Sequence, residues 1–353
     1  MTTAGTNKAV VVCNALALRP GGSGVQTYER ELLRALVEVA QAEFRAVVQA
    51  DAVAELPKGV LPIVRPVVAG LHRAVEGLRD VGSCDLVHGL DVDLPRRSRA
   101  ITVSTVHDLS VFDVPWASSR VRAAGERLLV RRAMRRADVV IAVSAFTAER
   151  ISARFGREAL VIGEAPSPDF YPPSVEEVAD VRATYGLRET FVLHVGTVEP
   201  RKDVAGLAEA CLLAEIPLVL AGASSSRSSI PSSAVSLGYV SRNHLRALYG
   251  AATVVAYPSR YEGFGLPAVE AMACGTAVVA TRIPPLVESL GDDALLVTPG
   301  DIAELANAIR DLCSDKSRRQ ELAAAGHRRV AALDWTSVAK ATADSYRSAG
   351  VNL

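Results

Sequence analysis

Tyr261–Gly275 reads YEGFGLPAVEAMACG, with two carboxylates, Glu262 and Glu270, eight positions apart. Between them stand Gly263-Phe264-Gly265, then Leu266 and Pro267. Proline is common at the first helical position, which puts Glu262 in a loop and Glu270 in the first turns of a following helix. Glycines let backbone approach a ligand closely, and the free amides of a helix N-terminus suit a phosphate. Ionised carboxylates only accept hydrogen bonds, so their partners in such a pocket are hydroxyls. Amides for phosphate beside carboxylates for hydroxyls fit a nucleotide sugar. The plainer alternative is a buried loop and core helix carrying a solvent-facing Glu pair.

The surrounding chain narrows the class. At 353 residues it exceeds one ordinary core and suggests two domains. Apolar residues make up 49% and charged residues 22%, a globular composition. Lys plus Arg and Asp plus Glu both number 39, so no net field favours nucleic acid. The five cysteines (Cys13, Cys84, Cys211, Cys274 and Cys313) are scattered without a CxxC pair, which suits buried thiols in a reducing cytosol rather than a disulfide framework or zinc site. The N-terminus has one Lys and a short apolar run that reads as a strand, not a signal peptide. No uninterrupted apolar run approaches the roughly 18 residues of a membrane span. A cytoplasmic protein is expected.

Ala9–Cys13 is a continuous apolar run of the kind buried in parallel sheets. A loop with Gly21-Gly22-Ser23-Gly24 follows, and then a helix over 25–39, with Tyr28, Leu32, Ala35, Leu36 and Val39 on one face. Gly22-x-Gly24-x-x-Thr27 imitates a dinucleotide fingerprint, but its third glycine is Thr27 and the strand-to-glycine loop is too long. Further strands are expected at 44–49, 61–64, 85–88, 101–106, 139–143 and 160–162. Helices between several of them mean a parallel sheet covered on its faces. Ligands of such sheets bind at strand carboxyl ends. His107-Asp108 directly follows the 101–106 strand. That histidine can bind a sugar or assist proton transfer, or simply cap a loop. His88 holds a similar position at another strand end.

Asp91-Val92-Asp93 has the spacing of a divalent-ion motif but no third acid nearby, so a solvated loop is expected. Arg120–Arg136 carries Arg120, Arg122, Arg127, Arg131, Arg132, Arg135 and Arg136 against Glu126, with Leu128, Leu129 and Met134 on an apolar side. A basic amphipathic helix can make peripheral contact with an anionic membrane on its cytoplasmic face. An ordinary solvated helix face is the alternative.

Glu164–Pro173, EAPSPDFYPP, has four prolines in ten residues and reads as a domain linker. Expected domains are 1–168, 169–335 and a final helix, 336–353. In the second half, strands are expected at 191–195, 218–221, 235–237, 254–256, 277–280 and 295–297. Helices are expected at 203–214, 242–250, 267–273, 301–313, 318–332 and 336–347. Ser224–Ser233 reads as a mobile surface loop. After the 191–195 strand comes Gly196-Thr197-Val198-Glu199-Pro200-Arg201-Lys202-Asp203. Arg offers a bidentate fork and Lys a point charge, a pair suited to a diphosphate.

Together these motifs resemble the retaining nucleotide-sugar glycosyltransferases of the GT-B fold, glycosyltransferase family four. The likeness runs over most of the chain. It includes Gly21-Gly22, Thr105-Val106-His107-Asp108-Leu109, Ala142-Val143-Ser144, Gly196-Thr197-x-Glu199-Pro200-Arg201-Lys202, Leu237-Gly238-Tyr239-Val240, and Tyr257-Pro258-Ser259 running into Glu262–Ala271. The resemblance implies two Rossmann-like parallel-sheet domains facing a cleft. The first would take the acceptor and the second the nucleotide sugar, with the last helix crossing back to the first. By resemblance, Arg201 and Lys202 hold the donor diphosphate and Glu270 the ribose. Glu262, with Gly263 and the amides of Phe264, Gly265 and Leu266, holds sugar and phosphate. Backbone at Gly238, Tyr239 and Val240 meets the base, and Gly196 lies beside the donor. Gly22 approaches phosphate or acceptor, and His107 touches the transferred sugar. The Asn-Gly hinge of many relatives is replaced here by Ala165-Pro166-Ser167-Pro168.

The resemblance further implies retention at the anomeric carbon, by same-face attack within an ion pair, with no metal and no other cofactor. The Glu199–Lys202 variant is similar to mannosyl- and rhamnosyltransferases, which points first to GDP-mannose, with UDP- and dTDP-sugars as alternatives; the acceptor is an unidentified hydroxyl compound. Competing readings are a nucleotide-sugar epimerase, a dehydrogenase using the imperfect glycine pattern with Asp51 on a ribose, and a non-catalytic nucleotide-sugar-binding protein.

Overall fold

The computed structural model describes residues 8–21, 24–224 and 230–353. It divides into two compact units, one formed by 1–164 with 335–353 and the other by 165–334. The sequence-based limits stand at 168 and 335. The segment after Glu164 is held within unit two by its own contacts: Arg242 Nη1 donates to Asp169 Oδ2 at 2.8 Å, and the buried Phe170 meets Tyr249 edge-on at 5.7 Å. The proline-rich stretch is thus packed structure.

Unit one contains β1 (Val10–Asn14), α1 (Val25–Val39), β2 (Glu43–Gln49), β3 (Val60–Arg65), α2 (Gly70–Gly77), β4 (Leu86–Gly89), β5 (Ile101–Val106), α3 (Ser110–Asp113), α4 (Arg120–Arg136), β6 (Val139–Ala142), α5 (Ala145–Phe155) and β7 (Leu160–Val161). The strands order as β3-β2-β1-β4-β5-β6-β7, parallel throughout. Burial on both faces explains the apolar runs of the inner strands: Val12, Val47, Val87, Val106 and Val140 share one core with Leu109, Ala133 and Ile151. Local chemistry sets the ends of α5. Ser144 Oγ accepts from Thr147 N, and Gly156 closes the helix at φ 61°.

Unit two contains α6 (Val175–Tyr185), β8 (Val192–Val195), α7 (Val204–Ala214), β9 (Leu218–Ala221), β10 (Ala234–Gly238), α8 (Arg242–Ala251), β11 (Val254–Tyr257), α9 (Leu266–Ala273), β12 (Val278–Thr281), α10 (Pro284–Leu290), β13 (Leu295–Val297), α11 (Ile302–Ser314) and α12 (Lys316–Val330). Its parallel sheet orders as β10-β9-β8-β11-β12-β13. The expected doubly wound α/β architecture is present in both units. Helices α6 and α10 were not foreseen. The signal for α6 was present: Ser174 and Glu177 form a capping box. Two leading prolines masked α10.

The last helix, α13 (Trp335–Ser348), belongs to unit one. Trp335 meets Tyr28 of α1 at 5.8 Å. Deeper in, Tyr28 Oη bonds Thr105 Oγ1 at 3.0 Å, Thr105 bonds His88 Nε2 at 2.9 Å, and His88 Nδ1 bonds Tyr346 Oη at 2.6 Å. Burial pushes the His88 pKa down to about 3, so this imidazole is a neutral strut and the helix is fastened by a buried polar chain.

Candidate active site

In each sheet the strand order reverses once, between β1 and β4 in unit one and between β8 and β11 in unit two. Such switch points open a crevice at the strand carboxyl ends. Gly196 follows β8, Tyr257 ends β11, and Pro258 to Glu262 follow it. Both expected donor motifs of unit two therefore flank one switch point.

The motifs meet there. A short 3-10 turn over Pro200–Lys202 turns the cations inward. Arg201 Nη1 donates to Glu262 Oε2 and to Tyr261 O, at 2.9 and 3.0 Å. Its Nη2 lies 2.9 Å from Glu199 Oε1. Lys202 Nζ stands 3.0 Å from Glu262 Oε1 and donates to Tyr257 Oη at 2.6 Å. The Lys202 and Glu262 side chains are each only 8% exposed. Burial alone would raise the Glu262 pKa, but the adjacent Arg201 and Lys202 charges hold it down at about 2. Burial lowers the Lys202 pKa, with Glu262 opposing. Glu262 is therefore an ionised carboxylate, not a proton donor.

The glycine-rich turn is fixed by shape. Gly265 sits at φ 97°, and a Cβ there would fall 2.3 Å from Leu286 Cδ2. Phe264 and Leu266 are buried, and Ser289 Oγ donates to Phe264 O at 3.0 Å. Glu270, buried in α9, accepts from Tyr249 Oη at 3.0 Å. On the next strand ends, Gly222 N donates to Gly238 O at 2.7 Å. A Cβ on Gly222 would strike Gly196 O at 2.1 Å. Gly196 and Gly238 thus stand along one edge with Gly222 between them. Beyond them Tyr239 is exposed and Val240 buried.

His107, in unit one, is 13% exposed at its side chain and follows β5. Its Nδ1 lies 3.0 Å from Glu164 Oε1 and its Nε2 lies 2.9 Å from Leu90 O. Both partners are acceptors, so both ring nitrogens carry protons. Burial would lower its pKa, but the Glu164 carboxylate leads the effects that lift it to about 9. The imidazolium nitrogens are taken by protein acceptors.

Several expectations are amended. Asp93 is not solvated: it is buried and pairs with Arg73 Nη1 at 2.9 Å, because the loop after β4 folds back onto α2. Gly22 and half of the Ser224–Ser233 loop, residues 225–229, lie outside the described residues. In the sequence, Tyr257 stands out only as the first residue of the Tyr257-Pro258-Ser259 motif and Glu164 only as the start of the proline-rich stretch, with no role for either side chain, and no local pattern marks Tyr249 or Gly222. Among the described residues, no group of three or more His, Cys, Asp or Glu side chains is placed to hold a metal ion, and no helix is long and apolar enough to cross a membrane.

Known proteins match this arrangement. Residues 182–329 match the family model "Glycosyl transferases group 1". The O-antigen chain mannosyltransferase B of Escherichia coli is 31% identical over 283 residues, covering 74% of each chain. Among solved structures, sucrose-phosphate synthase from Thermosynechococcus elongatus superposes with a TM-score of 0.78 at 23% identity, covering 97% of this chain and 99% of that one. Anabaena HepE in complex with UDP-glucose gives 0.75 at 21% identity, covering 96% and 100%. These two share the fold, which is GT-B.

Proposed function

Since this chain belongs to the group 1 glycosyl transferases and is a glycosyltransferase using a nucleotide sugar, we propose that it moves a hexosyl group, with retention, from GDP-mannose to a hydroxyl acceptor in the cytoplasm. The mannosyl activity in the name of the E. coli relative and the Glu199–Lys202 variant support this donor over UDP- and dTDP-sugars. The observation that carries the reading is the buried Arg201–Lys202–Glu262 cluster at the unit-two switch point.

Arg201 and Lys202 supply preorganised positive charge for the leaving diphosphate, so no metal or cofactor is needed. Glu262 aligns both cations and accepts from sugar hydroxyls. Glu270, oriented by Tyr249, accepts from the ribose hydroxyls. The amides of Phe264, Gly265 and Leu266 receive sugar and phosphate, and backbone from Gly238 to Val240 the base, with Gly196 leaving room beside Lys202. Gly22 and His107 serve from the first unit, His107 as a fixed imidazolium. The bond from the anomeric carbon to the diphosphate oxygen breaks and the acceptor oxygen bonds on the same face. The acceptor proton passes to the departing diphosphate.

Thermal-shift measurements with GDP-mannose, UDP-glucose and a dTDP-sugar test the reading, because a ligand of the native state raises Tm. A rise with GDP-mannose that is lost in Lys202→Ala is expected. No rise with any of the three overturns the donor site. A further proposal concerns α4. Val121 and Leu128 are 86% and 65% exposed on this arginine-rich helix, which supports peripheral contact with an anionic membrane. Arg127 and Arg132 are already bound to the carbonyls of Val111 and Pro95 and Arg122 pairs with Glu126 at 2.7 Å, so the contact would rest on Arg120, Arg131, Arg135 and Arg136. Sedimentation with phosphatidylglycerol vesicles, lost in Leu128→Asp, is expected; no sedimentation overturns it.

A further inference from the structure

The arginines of α4 meet those that end α5 around one pocket. Arg131 and Arg135 of α4, Arg154 of α5 and Arg157 just past it line a volume of about 620 Å³, with Phe112 and Phe155 in its wall. No carboxylate lines it. Phe112 gathers the charges. The Arg154 guanidinium lies 4.4 Å from the centre of its ring, that of Arg131 5.4 Å and that of Arg127 5.8 Å. Phe155 meets the same ring edge-on at 5.5 Å. Arg157 is fixed by donating to Met134 O at 2.9 Å and to Ala137 O at 2.7 Å. Arg131, Arg135 and Arg154 are exposed.

Local helix chemistry does not account for this set. Basic side chains in the last turn of a helix complement its dipole. That covers Arg135 and Arg154 but not Arg131, a turn earlier, or Arg157, beyond the end of α5. Arg127, Arg131 and Arg135 follow one another at four-residue spacing, where like charges destabilise a helix. Counter-charge is lacking too: among the described residues, none of the four lining arginines forms an ion pair. Asp113, beside Phe112, is taken by Arg150 Nε and Nη2 at 2.9 and 2.8 Å, and Glu126 by Arg122. Such breaks with local rules are expected at functional sites.

An anion supplies what is lacking. A guanidinium stacked on an aromatic ring keeps its edge of N–H donors, and that fork matches phosphate oxygens. Stacking on Phe112 holds Arg131 and Arg154 in place, and the carbonyls of Met134 and Ala137 hold Arg157. A carboxylate ligand fills one fork, whereas a phosphate has oxygens for several.

We propose that this pocket is a phosphate-ester site of unit one, additional to the donor site, in which Arg131, Arg135 and Arg154 bind the phosphate oxygens and Arg157 adds fixed positive charge. Helices α4 and α5 join β5 to β6 and β6 to β7, so the pocket lies off the switch point between β1 and β4. The assignment rests neither on the donor reading nor on the membrane contact proposed for α4. The phosphate belongs either to a lipid headgroup or to a soluble ester, and the test separates the two.

The full chain, saturated with GDP to occupy the donor site, is titrated with sn-glycerol 3-phosphate by calorimetry and by nitrogen-15 NMR of arginine side chains. Saturable binding that shifts the pocket arginines is expected. Arg135→Gln combined with Arg154→Gln, both exposed positions, should weaken it about tenfold, the scale of lost charge-assisted contacts. Arg96→Gln combined with Arg97→Gln removes equal charge from exposed positions of the same unit outside the pocket and should leave binding unchanged. Equal weakening by both double variants means diffuse attraction and overturns the proposal, as does the absence of saturable binding. Sedimentation with phosphatidylglycerol vesicles then reads the source. Sedimentation lost in the pocket variant alone assigns a lipid headgroup. Sedimentation that is absent, or the same in wild type and pocket variant, assigns a soluble ester. The nucleotide-sugar thermal shift in the same preparations reads the donor site separately, so failure here leaves the donor reading standing.

Discussion

Lys202 and Glu262 stand 3.0 Å apart in unit two, each side chain only 8% exposed. A buried ion pair is stable only while both partners remain, because removing one strands the other charge out of water. Here Arg201 is a second cation on the same carboxylate, so the cluster keeps Glu262 ionised and both cations aligned.

Substituting either side of this pair should disable transfer. Lys202→Ala and Glu262→Ala are each expected to lower kcat/KM about a hundredfold, the scale of one lost transition-state contact. Near-normal turnover in both would remove the cluster from the mechanism. Steady-state assays with the donor that passes the thermal-shift panel supply the measurement.

The cluster also predicts an acid limb of stability. The Glu262 pKa is depressed from 4.5 to about 2 on folding. Its contribution is present above pH 4.5 and fades as pH falls from there toward about 2. The Tm gap between wild type and Glu262→Gln should narrow over this window. A gap independent of pH would mean that Glu262 is not ionised in the fold.

His107 and Glu164 behave with the opposite sign. The His107 pKa rises from 6.5 to about 9 on folding. The stability it contributes is complete below pH 6.5 and is lost as pH rises through about 9. In Glu164→Gln, burial is left as the stronger influence, and the imidazole should titrate well below its wild-type value. Carbon-detected histidine NMR reads this directly, and an unchanged titration would deny the pairing.

Gly265→Ala tests the shape of the loop. The residue is at φ 97°, and its new methyl would lie 2.3 Å from Leu286 Cδ2. Strain and overpacking together should cost about 2–4 kcal/mol, read by urea denaturation. Gly265→Ala combined with Leu286→Ala should recover the steric part but not the backbone part. Full recovery would show that φ is no constraint.

Much of this was legible along the chain. Apolar runs alternating with helical stretches exposed the parallel sheets, and Ile101–Val106, Leu218–Ala221 and Leu295–Val297 fall where the pattern puts them. α10 was not legible, because two prolines at its start look like a break. α6 was legible through Ser174 and Glu177 and was passed over. Asp93 was misjudged because its counter-charge, Arg73, comes from another element.

By itself, the sequence determined the two-unit α/β architecture and the Arg201-Lys202 and Glu262–Glu270 motifs, because helix and strand periodicity and residue spacing are local properties. The tertiary structure decided which charges meet. Arg201 reaches Glu262 across 61 positions and His107 reaches Glu164 across 57. Tyr249 and Tyr257 orient Glu270 and Lys202, and Arg131 and Arg154 meet over Phe112. Those relations depend on which elements the topology sets side by side, and a pKa or a shared ring contact is a property of the resulting surroundings, not of the residue that bears it.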